Sequence, residues 1–323
     1  MERDTNIDLV IPMVFPADPE WRREYQRFHI GDATKSERFR SWGTEELLVR
    51  CCIKFMPWLR RIYILLARES QVQEWMKNLA AEPQGAIQPE VRTVFHREFM
   101  PANMLPCFAS PCIEMFLHKI PGLSEYFIYG NDDMFPLSPL QPEDFFRQTE
   151  PDGTLLPCQK ITERVYPPNP NIFQRKCMYQ LNMIAGRYGK HYTAKWPDTG
   201  HIFAAIRKSS CEEVWRRHGD EITYYLSPLK RNDRSYNHYI YMLYQHFEGL
   251  YVEHRPPRHY TDHETPTQRL AEIIRDPQAG MVCLNDNEKI FDWKVRAEIV
   301  HREIERKLEG VAVTQQYTGQ ITE

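Results

Sequence analysis

Two adjacent carboxylates, Asp132 and Asp133, follow the apolar run Tyr126-Phe127-Ile128-Tyr129. Hard oxygen ligands of this kind suit Mg²⁺ or Mn²⁺ held against the phosphates of a substrate. The same stretch, Gly130-Asn131-Asp132-Asp133, also reads as a turn in which Asn131 and Asp132 cap the next segment. Glu114 interrupts the apolar run Cys112 to Leu117. A carboxylate facing a core is costly unless it is paired or ligating, so Glu114 either has such a partner or turns to solvent between two core positions. Arg38, Arg40 and Arg50 upstream and Lys230, Arg231 and Arg234 downstream are the basic groups that could grip phosphate, arginine doing so bidentately. Each is also an ordinary solvated surface group if no anion comes near. His96, after Val91 to Phe95, and His201, in Asp198-Thr199-Gly200-His201, could act as acid, base or oxyanion partner, or be buried and hydrogen-bonded.

These groups need a scaffold, and the chain offers one. Ile7 to Ile11 is a short β-branched run closed by Pro12, and Arg61 to Ala67 is a second. Between them Leu47, Leu48, Cys51 and Phe55 recur at helical spacing, with a stop at Met56-Pro57. Strand, helix, strand in that order points to a parallel α/β sheet. Ser110-Pro111 starts a helix that Pro121-Gly122 ends, placing Glu114 one turn in. Tyr126 to Tyr129 is then a further strand, and the acidic cluster lies beyond its carboxyl end, where ligands bind in such sheets. Cys177 to Tyr251 is aromatic and helix-leaning. Trp293, Ala297, Val300, Ile304 and Leu308 share one face of a final helix.

Composition sets the class. Of 323 residues, 41 are Lys or Arg and 44 Asp or Glu, a net charge of −3 that leaves no electrostatic footprint for nucleic acid. No run approaches a membrane span, and Met1-Glu2-Arg3-Asp4 lacks the regions of a signal peptide, so a cytoplasmic location is expected, with any contact at the inner face of the membrane made through partners. Eight cysteines stand without CxxC or metal-finger spacing and are expected reduced and mostly buried. There is no GxSxG, no glycine-rich phosphate loop and no dinucleotide fingerprint.

Taken in order, the runs Pro101 to Glu114, Ile120 to Glu125 and Phe127 to Phe135 closely resemble the second block of the Stealth family, hexose-1-phosphate transferases of capsular polysaccharide synthesis related to the animal N-acetylglucosamine-1-phosphotransferase. Ile7 to Val10 with Asp18-Pro19-Glu20-Trp21 resembles the first block. His201 with Lys230 to His246 resembles the third, and Val282 to Asp286 the fourth. Pro12-Met13-Val14 departs from the family's Thr-Trp-Val, Thr44 stands for a Glu, and Asn237 for an Asp.

The resemblance implies that Glu114, Asp133, His201 and Arg231 are the catalytic and donor-phosphate residues, with Arg234 competing for the place of Arg231 and either Glu114 or His201 taking the acceptor's proton. It further places Asp132, Asp133 and Asp286 at a divalent cation, Mg²⁺ or Mn²⁺, and Asp18, Arg40, Arg50, Asn131, Arg234 and Asn285 around the substrates. The expected partners are a nucleotide-sugar donor, UDP-linked, and a glycan acceptor. The expected fold is α/β, a Rossmann-like glycosyltransferase-type core with a helical insertion or cap. Its single catalytic unit spans 1–309: core from 1–150, helix-rich insertion from 151–280, return to the core at 281–309, and a flexible tail at 310–323. An ordinary metal-dependent glycosyltransferase releasing UDP and a non-catalytic glycan-binding protein are the competing readings.

Overall fold

The computed structural model describes residues 5–29, 39–81, 88–149, 153–198 and 200–310; Arg38, Thr199 and residues 311–323 of the expected tail lie outside them. The first half runs β1 (Ile7–Pro12), α1 (Pro19–Phe28), α2 (Glu45–Phe55), β2 (Arg61–Leu66), α3 (Glu74–Ala81), β3 (Glu90–Phe95), α4 (His96–Phe99), α5 (Ser110–Met115) and β4 (Tyr126–Tyr129). The second half continues with β5 (Met134–Pro136), β6 (Phe146–Gln148), β7 (Leu155–Gln159), β8 (Thr162–Val165), α6 (Ile172–Gly186), β9 (Lys195–Asp198), β10 (Ala204–Arg207), α7 (Lys208–Tyr225) and α8 (Tyr239–Phe247). It closes with β11 (Val252–Glu253), β12 (Arg258–Thr261), α9 (Thr267–Arg275), β13 (Met281–Leu284) and α10 (Trp293–Glu309).

The main sheet has the order β10-β4-β1-β2-β3, with β4, β1, β2 and β3 parallel and β10 antiparallel on the outer side of β4. This is the α/β, Rossmann-like core expected. Strands β1, β2 and β4 are buried on both faces, as parallel strands flanked by helices must be, while β3 at the edge alternates. Leu9 and Ile11 of β1 enter the apolar cluster built with α2, α9 and α10, whereas Val10 enters the cluster built with α5, α7 and α8. Asp8, fully buried on the same strand, is gripped by Arg60, whose Nε donates to Oδ1 at 2.9 Å, and by the Ser124 amide at 2.8 Å. That anchor ties β1 to the turn leading into β4.

Between β1 and β4 the winding of the sheet reverses, because β1 leads through α2 to β2 on one side while β4 arrives on the other. Such a switch point opens a crevice at the carboxyl ends of the two strands. The segment 151–280, expected as a helix-rich insertion, differs in one respect. Its helices α6, α7 and α8 pack on one another, but β10 returns to the main sheet and β12 pairs with β13 in a small sheet completed by β5. Four residues of β10 satisfy the open edge of β4, which a purely helical insertion would leave bare.

Candidate functional site

The crevice at the switch point is a cleft of about 660 Å³. Met13 and Val14 reach it from the end of β1, and Asn131, Asp132 and Asp133 from the end of β4. Asn285, Asp286 and Asn287 come from the end of β13, His201 from the turn before β10, and Arg231 from the loop before α8. The acidic loop is short and held at both ends. The Gly130 amide donates to the Val10 carbonyl at 3.0 Å, the Met134 amide to the Asn131 carbonyl at 3.2 Å, and the Leu284 amide to the Asp133 carbonyl at 2.8 Å. Gly130 is required there, since a Cβ would lie 2.4 Å from the Phe203 ring. Gly200, with φ at +74°, makes the turn that presents His201, and the Arg258 guanidinium packs where its Cβ would be.

Asp133 Oδ2 lies 3.6 Å from His201 Nε2 and accepts from the Cys283 thiol at 3.5 Å. Its other oxygen, Oδ1, is buried with no hydrogen-bond partner. Burial opposes the charges of both groups, but their mutual attraction outweighs it, lowering the pKa of Asp133 and raising that of His201. Asn131 accepts from the Tyr129 hydroxyl at 2.6 Å, and its amide nitrogen sits 3.4 Å from His201 Nε2. Asp132 is pushed up to about 7, first by burial and then by the negative charges of Asp133 and Glu45. An acidic cluster with more negative charge than it can hold, beside an orphaned carboxylate oxygen, fits a divalent cation completed by substrate phosphate.

Glu114 lies behind this wall, not in it. On α5 it is buried, and its Oε2 accepts from the His238 amide at 3.0 Å and from His238 Nδ1 at 2.7 Å. Burial acts to raise its pKa, but His238 and the buried Lys176 of α6 more than offset that and hold it down at about 2. Burial dominates at His238, whose pKa is lowered, so the pair is an anionic Glu114 receiving a proton from the neutral Nδ1–H tautomer. The charge that balances Glu114 is Lys176.

The other expected residues divide. Arg231 lines the cleft, its Nη2 donating to Ser110 Oγ at 2.8 Å, while Arg234 turns away to lie over Tyr225 and Tyr179, 5.5 and 6.0 Å from their ring centres. Asn285 is in the cleft. Arg40 is also there but committed: its Nε donates to Asp286 Oδ2 at 2.7 Å, and Trp42 donates to the same oxygen at 3.0 Å. Asp286, expected at the cation, is therefore the counter-ion of Arg40, since donors occupy its oxygens. Asp18, expected at the substrate, is instead the N-cap of α1, accepting from the Glu20 and Trp21 amides and from Ser70. Arg50 sits on the outer face of α2, paired with Glu46 one turn before it. Arg50→Ala is expected to leave donor turnover unchanged and stability within about 0.5 kcal/mol, as steady-state assays and denaturant titration will read. Thr44, where the family has Glu, stands beside Glu45, which supplies a carboxylate to the cleft. Asn237 is buried and accepts from Gln180 Nε2 at 2.9 Å, part of the contact between α6 and the segment leading into α8.

Residues 38–153 match the family described as Stealth protein CR2, conserved region 2. That match covers the stretch of the chain that carries Glu114 and the acidic loop. It is 28% identical over 262 residues to a capsular polysaccharide phosphotransferase of Actinobacillus pleuropneumoniae, covering 76% of this chain and 67% of that protein. It is 28% identical over 280 residues to one of Aeromonas hydrophila, covering 82% and 74%. A relative of the same description in Streptococcus pneumoniae is 25% identical over 338 residues, covering 95% and 97%. A galactosyltransferase solved with donor and acceptor sugar analogues covers 96% of this chain and 98% of its own, at 14% identity and a TM-score of 0.42. No helix among the described residues is long and apolar enough to cross a membrane.

Proposed function

We propose that this chain is a transferase of the Stealth type that moves a sugar 1-phosphate from a nucleotide-sugar donor, UDP-linked, to a hydroxyl of a glycan acceptor, leaving a phosphodiester. The observation that carries this reading is the meeting of Asp133, His201, Asn131 and Arg231 around one cleft at the switch point, with acidic charge on one wall and a guanidinium on the other. Phosphoryl transfer asks a protein for in-line positioning and for neutralisation of charge on the equatorial oxygens, and this is the complement of groups present. The acceptor oxygen attacks the β-phosphorus, the bond to the bridging oxygen breaks, and the nucleoside monophosphate leaves. Arg231 pairs with the diphosphate, and Asn131 holds the orientation of the His201 ring. His201, open to the cleft, is the better placed of the two proposed bases, because Glu114 is walled off behind Tyr129 and engaged by His238. Asp132 and Asp133 are the residues that would hold a divalent cation, which would neutralise charge on the diphosphate and offset the Asp133 charge that favours protonated His201.

A screen of nucleotide sugars with Mg²⁺, reading the nucleotide released, tests the proposal. UMP marks cleavage at the β-phosphorus; UDP marks cleavage at the anomeric carbon and replaces this reading with an ordinary glycosyltransferase. The assignment of the donor arginine has its own measurement. Arg231→Ala is expected to raise the donor KM and lower kcat/KM by roughly 10²-fold, and Arg234→Ala to change either by less than about threefold. Equal effects would return Arg234 to the site. The location proposed is cytoplasmic, with peripheral contact to the polysaccharide assembly machinery.

A further inference from the structure

We propose that Asp133, His201 and Cys283 form a second, borderline-soft metal site that takes Zn²⁺ and, when filled, switches the centre off. The three ligand atoms, one oxygen, one nitrogen and one sulfur, lie within 4.8 Å of one another. The separations are those of a coordination sphere. An ion bonded tetrahedrally at about 2.3 Å to sulfur and about 2.0 Å to oxygen and nitrogen sets an S···O edge of about 3.5 Å and an N···O edge of about 3.3 Å. The corresponding distances here are 3.5 Å from Cys283 Sγ to Asp133 Oδ2 and 3.6 Å from His201 Nε2 to the same oxygen. Asp133 Oδ1, buried and unpartnered, is a second donor atom on the same carboxylate. Asp133 and His201 line the cleft, with Cys283 buried behind them, so a fourth position on the cleft side is left for water or a phosphate oxygen.

The donor set differs from the one Mg²⁺ selects. Mg²⁺ takes oxygen in octahedral array and gains nothing from a thiolate, whereas Zn²⁺ favours sulfur and imidazole in a tetrahedral one. Cys283 lies on β13, and its place beside the acidic loop is fixed by the pairing of Cys283 with Met134 in β5. On binding, a Zn–S bond replaces the S–H bond of Cys283 and a Zn–N bond replaces the Nε2–H bond of His201, and both protons leave to solvent. His201 can then no longer accept a proton, and Asp133 is withdrawn from the hard cation. The inhibition rests on the phosphotransfer reading above, but the binding does not.

Titration of the intact chain with Co²⁺, a spectroscopic stand-in for Zn²⁺, tests the binding directly. A thiolate-to-cobalt charge-transfer band in the near ultraviolet is expected. It should be absent in Cys283→Ser, weakened at least about tenfold in apparent affinity in His201→Ala, and displaced by Zn²⁺. In the donor assay at fixed Mg²⁺, Zn²⁺ is expected to suppress turnover, and Cys283→Ser to need at least about tenfold more of it. No charge-transfer band in the unaltered chain, or a band that survives Cys283→Ser, overturns the proposal; should that variant fail to fold, an unweakened band in His201→Ala does so. A cobalt band with no turnover of any donor would leave the site standing and remove the functional reading instead.

Discussion

Asp133→Asn is expected to lower donor turnover by a factor on the order of 10³ or more while leaving the chain as stable as before, within about 1 kcal/mol. The two effects separate for a physical reason. The carboxylate is held charged by His201 and the Cys283 thiol, but it also repels Asp132 and has one oxygen without a partner, so these contributions oppose one another in the folded chain. Asparagine keeps the volume and an oxygen for the Cys283 thiol, and relieves the repulsion that pushes Asp132 up to about 7. It removes the charge a cation needs, together with the charge that steers the protonation of His201. Steady-state kinetics beside thermal denaturation reads both. A variant with full turnover would remove Asp133 from the chemistry, and one that unfolds would make it a structural acid.

The largest effect on stability is expected at Glu114. Glu114→Ala leaves the His238 amide and Nδ1–H without their acceptor and the buried Lys176 without the negative charge that favours its own, and the cost is put at roughly 3–5 kcal/mol by denaturant titration. Glu114→Gln keeps an acceptor for the amide and loses less. The pH dependence follows from the sign of the shift. The folded chain holds Glu114 at about 2, below its value in the unfolded chain, so its contribution is fully present above about pH 4.5 and disappears as the pH falls through about 2. Subtracting the stability–pH curve of Glu114→Gln from that of the unaltered chain should therefore reveal a component that declines over this window and is flat above it. Turnover is the second readout. Acting through His238 and Tyr129 rather than on substrate, Glu114→Gln is expected to keep turnover within about 10²-fold; a loss as deep as that of Asp133→Asn would show that Glu114 touches the reacting groups.

How much of this was legible depends on how local each signal was. The strands β1, β2 and β4 are continuous apolar runs, and the acidic loop follows β4 directly, so sheet and loop could be read together. Two misplacements were also locally encoded. Asp18-Pro19-Glu20 is an N-cap with proline at the first helical position, and Glu46 with Arg50 is an i, i+4 pair on the face opposite Leu47, Leu48 and Cys51. Resemblance drew both toward the substrate, where helix grammar already accounted for them. β10 had no such signal: Ala204 to Arg207 is four residues in a helix-leaning stretch, and only the open edge of β4 makes it a strand. His238, Lys176 and Cys283 were missed for another reason. Each is one polar group in an apolar or aromatic setting, and its role comes from a partner more than 60 residues away, Glu114 for the first two and Asp133 for the third.

The pairing of β10 with β4 also bears on how such a protein can diversify. Ala204 lies opposite Tyr129 in an antiparallel pair, so His201, three residues before the one, and Asp133, four residues after the other, emerge from the same end of this register. What happens in the chain between them, from β5 through α6 and β9, does not enter that distance. Loops there can lengthen or shorten while the reacting groups stay in place, provided α6 with Lys176 and the four-residue splice to β4 are kept. Chimaeras that exchange only the loops within 153–198 are expected to keep donor turnover in the nucleotide-release assay.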